Sequence, residues 1–224
     1  MPKINLKTKA YNTIRKKIIT CEYSPGTFLN EELLTEQLGL SRTPIRDALS
    51  RLEQEGLVEI KSKKGIIVMP LTISTINMVY EIRMLYEPYV LLNYGSEIPV
   101  EKLKNFYNIF KQNDSDSKYF QNINYFYEVD NAFHSCIVNS CPNIFIQHNY
   151  DLIRTQTERL RYMTGTVIDH RLHDTFQEHI GIIQECLKSN WQAAADKMSL
   201  HLEESKRASF QLIFNGMTQE ELTL

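Results

Sequence analysis

The feature that most constrains this chain is a change of hydrophobic pattern at Pro70. Before it, helical patterns are followed by two short β-prone runs at 57–60 and 66–69, whereas no later segment has a convincing strand pattern. A chain of 224 residues is long enough for two small domains, each with its own core. The pattern therefore predicts a mainly α protein with domains at 1–70 and 76–224, joined by a linker at 71–75.

Three helices and a β-hairpin are predicted within the first domain. One helix covers about residues 5–20, a second runs from a cap at Asn30 to Gly39, and a third ends at Gly56. A basic link at 61–65 that contains glycine joins the two β-prone runs, which is typical of a hairpin. Because only a tight turn separates the second and third helices, they form a helix-turn-helix, and the hairpin adds a wing.

The start of the third helix carries candidate DNA-contacting side chains. Either Ser41 is the N-cap of this helix, or Thr43 is the N-cap and Pro44 is the first helical residue. The sequence leaves both alternatives open. Arg42 and Arg46 are four residues apart and share one helical face. Arginine is the commonest partner of guanine, and the hydroxyls of Ser41 and Thr43 can donate to phosphate. A solvated face would give the same spacing, so both interpretations stay open at this point.

Charge is distributed unevenly along the chain. The net charge is −2, but residues 1–70 hold 12 Lys and Arg against 8 Asp and Glu, whereas residues 71–224 hold 13 against 19. A basic end favours a polyanionic partner, and Lys61, Lys63 and Lys64 on the wing can add phosphate contacts. There is no apolar run near the ~20 residues of a membrane span and no secretory signal, and four scattered cysteines fit a reducing compartment. We therefore expect a cytoplasmic protein with no membrane partner.

The second domain is predicted to be an antiparallel bundle of six helices with short connections. Asp130 and His134 are four residues apart and share a helical face, while His179 and His201 fall on two later helices. Carboxylates and imidazoles are ligands of borderline divalent metals. A surface pair and ordinary buried histidines fit the same spacing. The helical patterns run at about 73–94, 99–113, 118–140, 143–163, 168–188 and 190–214.

The exact residues of the first domain are more specific than its hydrophobic pattern. Residues 25–69 resemble the GntR family of bacterial transcription regulators, above all in the string SRTPIRDAL at 41–49. The resemblance implies a winged helix that reads a palindromic operator as a homodimer. The family commonly has Glu at position 47 and Arg at position 64, where this chain has Asp and Lys, and lysine lacks the bidentate geometry. The family's DNA contacts correspond here to Ser41, Arg42, Thr43, Arg46 and the wing at Gly65.

The second domain resembles the FCD effector domain of the FadR subfamily. The resemblance lies in DNAFH at 130–134, SCPN at 140–143, EHIGII at 178–183 and AAADKMSLHL at 193–202. It implies that one divalent metal, with Zn, Ni and Mn not distinguished, is held by Asp130, His134, His179 and His201. The domain occurs with six helices, as in a VanR-like group, or with seven.

The resemblance also implies a role for Arg83 on the first bundle helix. In the FCD family an arginine at this position binds the carboxylate of a small metabolite effector beside the metal. A guanidinium fork suits a carboxylate geometrically. From residue type alone, a surface ion pair between Arg83 and Glu87 would be the simpler interpretation.

The leading hypothesis is a metabolite-responsive transcription regulator, a repressor rather than an enzyme. In one alternative, the bundle of a DNA-binding regulator only dimerises. In another, an Asp-and-three-His metal with open positions activates water as a metalloenzyme does. The enzyme interpretation lacks a recognisable general-base motif and leaves the basic wing without a purpose.

Overall fold

The computed structural model describes residues 5–61, 65–115, 123–164 and 169–216. The chain divides into two compact units, Met1–Thr72 and Ile73–Leu224. Within the described residues there are nine α-helices and one three-stranded sheet, so the predicted mainly α fold with a small β wing is confirmed. In this described part, no helix is both long and apolar enough to cross a membrane.

The first unit contains three helices and three strands. Its second helix begins after Asn30, whose side chain accepts from the Leu33 amide at 2.7 Å, and ends at Gly39 with φ of 64°. Both ends agree with the predicted caps. The elements are α1 (Leu6–Ile19), β1 (Phe28–Leu29), α2 (Glu31–Leu38), α3 (Arg42–Gln54), β2 (Val58–Lys61) and β3 (Gly65–Val68).

The wing is a three-stranded antiparallel sheet in the order β1-β3-β2. The strand β1, which sequence reasoning missed, pairs with the side of β3 that faces away from β2 and places Leu29 opposite Ile66. Gly65 begins β3 with φ of 96°, and a Cβ there would lie 2.8 Å from the Leu29 carbonyl oxygen. Because other residues strain at this φ and the neighbour is backbone, the start of the wing requires glycine.

The core of the first unit is apolar. In α3 the apolar face is buried, including Ile45, Leu49 and Leu52. In α1 the side chains at positions 10, 14 and 18 are fully buried, while Leu6 is exposed. Burying one leucine or isoleucine stabilises the unit by roughly 1.5–3 kcal/mol.

The second unit is a bundle of six described helices, as the periodicity predicts. Its first helix, α4, packs against α9, α6 and α7, and α8 packs against α5 and α9. The rings of Phe110, Phe133 and Phe176 meet in the core, with centroids 5.5 and 6.1 Å apart around Phe110. This core surrounds the polar site described below. The helices are α4 (Ile73–Tyr94), α5 (Val100–Ser115), α6 (Ile123–Val138), α7 (Ile144–Thr164), α8 (Asp169–Leu187) and α9 (Trp191–Gly216).

Candidate functional sites in the two units

The first candidate site is the exposed start of α3. The helix begins at Arg42 with Ser41 as its N-cap, which decides between the two caps left open by the sequence. The Ser41 side chain makes no capping hydrogen bond. Arg42, Thr43 and Arg46 are exposed with it, opposite the buried face of the helix. This end of the helix therefore presents two guanidinium groups and two hydroxyls to solvent.

Arg46 is held in place by a residue that sequence reasoning did not select. Its Nε donates to both carboxylate oxygens of Glu31, at 2.8 and 3.0 Å. This hydrogen bond lowers the pKa of Glu31. Arg46, Lys61 and Gly65 border one cleft of about 520 Å³ between α3 and the wing. Two wing residues predicted to contact DNA, Lys63 and Lys64, lie outside the described residues.

The second candidate site is a group of histidines in the bundle. His134 on α6, His179 on α8 and His201 on α9 are buried, and each offers a ligand atom within 4.8 Å of the others. The Nε2 atoms of His179 and His201 are 3.3 Å apart. The buried Asp130 carboxylate lies 3.6 Å from His179 Nε2. All four sequence-predicted ligands therefore come together.

Two carboxylates orient these imidazoles from outside the group. Glu87 Oε2 lies 2.5 Å from His134 Nδ1, and Glu178 Oε2 lies 2.6 Å from His201 Nδ1. An ionised carboxylate only accepts, so each Nδ1 donates to its carboxylate and Nε2 is the ring nitrogen left to face a metal. Such carboxylate–histidine pairs typically support metal ligands. Sequence reasoning gave Glu178 no role in the site.

The chemistry of this group fits a divalent cation. Burial lowers the pKa of His179 well below its ordinary value and that of His201 to about 4, so both imidazoles are neutral. Burial raises the pKa of Asp130, but the Arg161 charge outweighs it and keeps the carboxylate ionised. Among the described residues, His134 Nε2 has no hydrogen-bond partner. Three imidazole nitrogens and a carboxylate are a donor set for borderline metals.

Arg83 lies beside the histidines and is buried. Its Nε donates to Glu87 Oε1 at 2.7 Å, and the Tyr150 hydroxyl donates to the same oxygen at 2.8 Å. The pair with Glu87 suggested by residue type therefore exists, but inside the bundle rather than on its surface. Burial raises the pKa of Glu87, yet the charge of Arg83 and the hydrogen bond from His134 outweigh burial and lower the pKa well below the usual range. Within the described part of the chain, Arg83 Nη2 has no hydrogen-bond partner.

One arginine of α7 also belongs to the site. Arg161 forms an ion pair with the carboxylate of Asp130. Arg159, two residues earlier, is fully buried. The spacing of residues along α7 contains no signal for the ion pair, because Asp130 comes from another helix.

Comparison with known proteins agrees with the two units. Residues 6–68 match the bacterial regulatory proteins of the gntR family, and residues 78–204 match the FCD domain. The chain belongs to the GntR family of regulators that carry an FCD domain. As a member of that family, it is a DNA-binding transcription regulator and not an enzyme.

Full-length relatives of this GntR regulator are similar over most of both chains. The transcriptional regulator YdhC of Bacillus subtilis (strain 168) is 29% identical over 198 residues, 85% of each protein. The transcriptional repressor RspR of Escherichia coli (strain K12) is 24% identical over 87% of this chain and 84% of its own. A GntR regulator from Rhodococcus sp. RHA1 superimposes with a TM-score of 0.76, covering 92% of this chain and 97% of its own at 18% identity. That likeness supports the fold.

Proposed function

We propose that this GntR regulator is a repressor that binds a palindromic operator as a homodimer and responds to a small carboxylate bound beside a divalent metal. Residues 1–70 bind DNA in the cytoplasm, 71–75 link the domains, and 76–224 bind the effector and dimerise. The observation that carries the proposal is the meeting of three buried imidazoles and a carboxylate inside the bundle. Repression is supported by the similarity to the repressor RspR.

The exposed start of α3 supports operator binding. In helix-turn-helix proteins the N-terminal residues of the second helix reach base edges in the major groove. Arg46 then reads a base, and Ser41 and Thr43 donate to phosphate. The proposed contacts on the wing are Lys63, Lys64 and Gly65.

The outer face of α4 supports a homodimer. Met78, Leu85, Tyr89 and Leu92 lie at a spacing that places them on one side of the helix, and each is about half exposed. The opposite side of α4 packs into the bundle, so the helix is apolar on both sides. A helix of this kind is normally covered on both sides, and a two-fold operator needs two recognition helices. A second copy of the chain meets both requirements.

The bundle interior supports a metal and a carboxylate effector. Asp130, His134, His179 and His201 would hold the ion, which supplies open positions for a carboxylate oxygen. Arg83 lies beside this group with a buried Nη2 that has no hydrogen-bond partner in the described part of the chain. The N–H groups of such a buried guanidinium nitrogen are strong donors for an incoming carboxylate.

Metal analysis of the wild-type protein, purified without chelator, tests the proposal. We expect one divalent ion per chain, or uptake of one on titration with Zn²⁺, Ni²⁺ or Mn²⁺. Sedimentation is expected to give a dimer. A protein that takes up no metal but still dimerises and binds DNA would support the alternative in which the bundle only dimerises.

A further inference from the structure

Glu87 lies where three parts of the bundle meet. It is fully buried on α4. Its Oε1 accepts from Arg83 Nε at 2.7 Å and from the Tyr150 hydroxyl of α7 at 2.8 Å. Its Oε2 lies 2.5 Å from Nδ1 of His134 on α6. One carboxylate thus contacts the proposed effector arginine, a metal ligand and a third helix.

We propose that Glu87 is a positioning residue that couples His134 to Arg83, so that a divalent metal and a carboxylate bind cooperatively. The inference rests on the proposed function, since it concerns the same metal and effector site. Because Oε2 accepts from Nδ1, Glu87 keeps His134 in the tautomer whose Nε2 can bind metal. Because Oε1 accepts from Arg83, the same side chain sets the position of the guanidinium.

Cooperativity follows from this shared contact. A carboxylate that binds Arg83 Nη2 restrains the guanidinium and, through it, Glu87. Glu87 in turn holds the His134 ring with Nε2 toward the other imidazoles. A ring that is already held in this way loses less conformational entropy when metal binds. By linkage, a carboxylate that tightens metal binding is itself bound more tightly when metal is present.

Glu178 provides a matched comparison. Its Oε2 lies 2.6 Å from His201 Nδ1, so it orients a metal ligand as Glu87 does. Its other partner is Arg171 of α8, which donates to both of its oxygens at 2.6 and 2.9 Å. Arg171 also donates to the Ser205 hydroxyl at 2.9 Å. Glu178 should therefore support metal binding without linking the metal to Arg83.

Glutamine at position 87 separates the two contacts chemically. The glutamine amide has one NH₂ group that donates and one oxygen that accepts, whereas both carboxylate oxygens of glutamate accept. If the amide NH₂ faces His134, Nδ1 must accept and the proton moves to Nε2, which can then no longer bind metal. If the NH₂ faces Arg83 and Tyr150, it meets two donors. Either orientation of Glu87→Gln breaks one half of the link.

The test compares Ni²⁺ affinity with and without saturating acetate in the full-length wild type, Glu87→Gln and Glu178→Gln. We expect both variants to bind Ni²⁺ about 10- to 100-fold more weakly than wild type. Acetate is expected to tighten Ni²⁺ binding at least about 5-fold in wild type and in Glu178→Gln. In Glu87→Gln the acetate effect should be smaller than in Glu178→Gln, because only the direct bond from acetate to the ion is left, and simple loss of stability would not produce this difference.

A second variant keeps the test decisive if Glu87→Gln does not fold. Glu87→Asp retains the buried charge but is one methylene too short to reach both His134 and Arg83, so its acetate effect should also be smaller than in Glu178→Gln. The coupling is overturned if acetate leaves wild-type Ni²⁺ affinity unchanged, or if a folded position-87 variant keeps the wild-type response. Wild type that binds none of Zn²⁺, Ni²⁺ and Mn²⁺ would overturn the proposed function, and the coupling with it.

Discussion

The two units of this regulator differ in whether their polar and charged side chains are buried. In the described part of the first unit no polar or charged residue is buried, and its candidate DNA-binding arginines lie on the surface. Among the described residues of the whole chain, every buried polar side chain lies in the second unit, including Arg83, Glu87 and the four proposed metal ligands.

The difference agrees with what each unit is proposed to bind. A DNA duplex is too large to enter a protein, so the side chains that contact it must be outside, where water solvates them until DNA arrives. A small anion and a metal can be enclosed, and enclosure strengthens charge interactions because little water screens them. The enclosed charges must then be paired, which explains why each buried carboxylate of the bundle has several partners. Four predictions test or sharpen this contrast.

The largest expected effect is on metal binding. His179→Ala removes a buried imidazole from the group of ligands and should abolish stoichiometric metal binding, while DNA binding by the first unit persists because that unit has its own core. Metal content measured on purified protein checks this. His148→Ala is the matched control, since it removes an exposed histidine of α7. Unchanged metal content in His179→Ala would refute the ligand assignment.

The next effect compares a buried ion pair with an exposed one. Arg83→Met removes the guanidinium that balances the buried charge of Glu87, which should reduce the stability of the second unit by about 3–5 kcal/mol. Glu31→Gln breaks the exposed pair with Arg46 and should change stability by less than about 1 kcal/mol. Urea unfolding of both metal-free variants measures the two values. Similar losses in the two variants would contradict the contrast between the units.

A smaller effect concerns operator specificity. Arg46→Ala should weaken binding to the preferred DNA sequence by about 1–3 kcal/mol and relax the preference at one base pair. The preferred sequence can be selected from random DNA with the wild-type protein. Lys104→Ala, which removes an exposed positive charge from the bundle, serves as the control. An Arg46→Ala protein with wild-type affinity and preference would exclude this helix from base recognition.

The smallest effects compare two glycines. Gly65→Ala should destabilise the wing by about 1–2 kcal/mol, because φ is positive and a Cβ would approach the Leu29 carbonyl. Gly181→Ala lies in α8, where a Cβ would meet only the end of the Lys197 side chain at 3.3 Å. It should stabilise the bundle by about 0.5–1 kcal/mol through helix propensity. Thermal unfolding of both variants would show shifts of opposite sign, and shifts of one sign would contradict this account.

The elements that the sequence predicted are those whose signals are local. The ends of α2 at Asn30 and Gly39 and the buried face of α3 are encoded within a few neighbouring residues. The strand β1 was missed because it has only two residues, too few for a period, and it forms only by pairing with β3. The proposed DNA-binding face was predictable for the same local reason, since Arg42 and Arg46 share one turn of helix.

The proposed metal ligands and the residues around them differ in the same way. Local patterns predict the fold class and the helix-turn-helix, and the resemblance to FCD domains singles out Asp130 and the three histidines as proposed ligands. The contacts of Glu87 with His134, 47 residues away, and of Arg161 with Asp130 come from the packing of the bundle. The physical reason is that caps and helical faces depend on neighbours along the chain, whereas partners across a bundle depend on how whole helices pack.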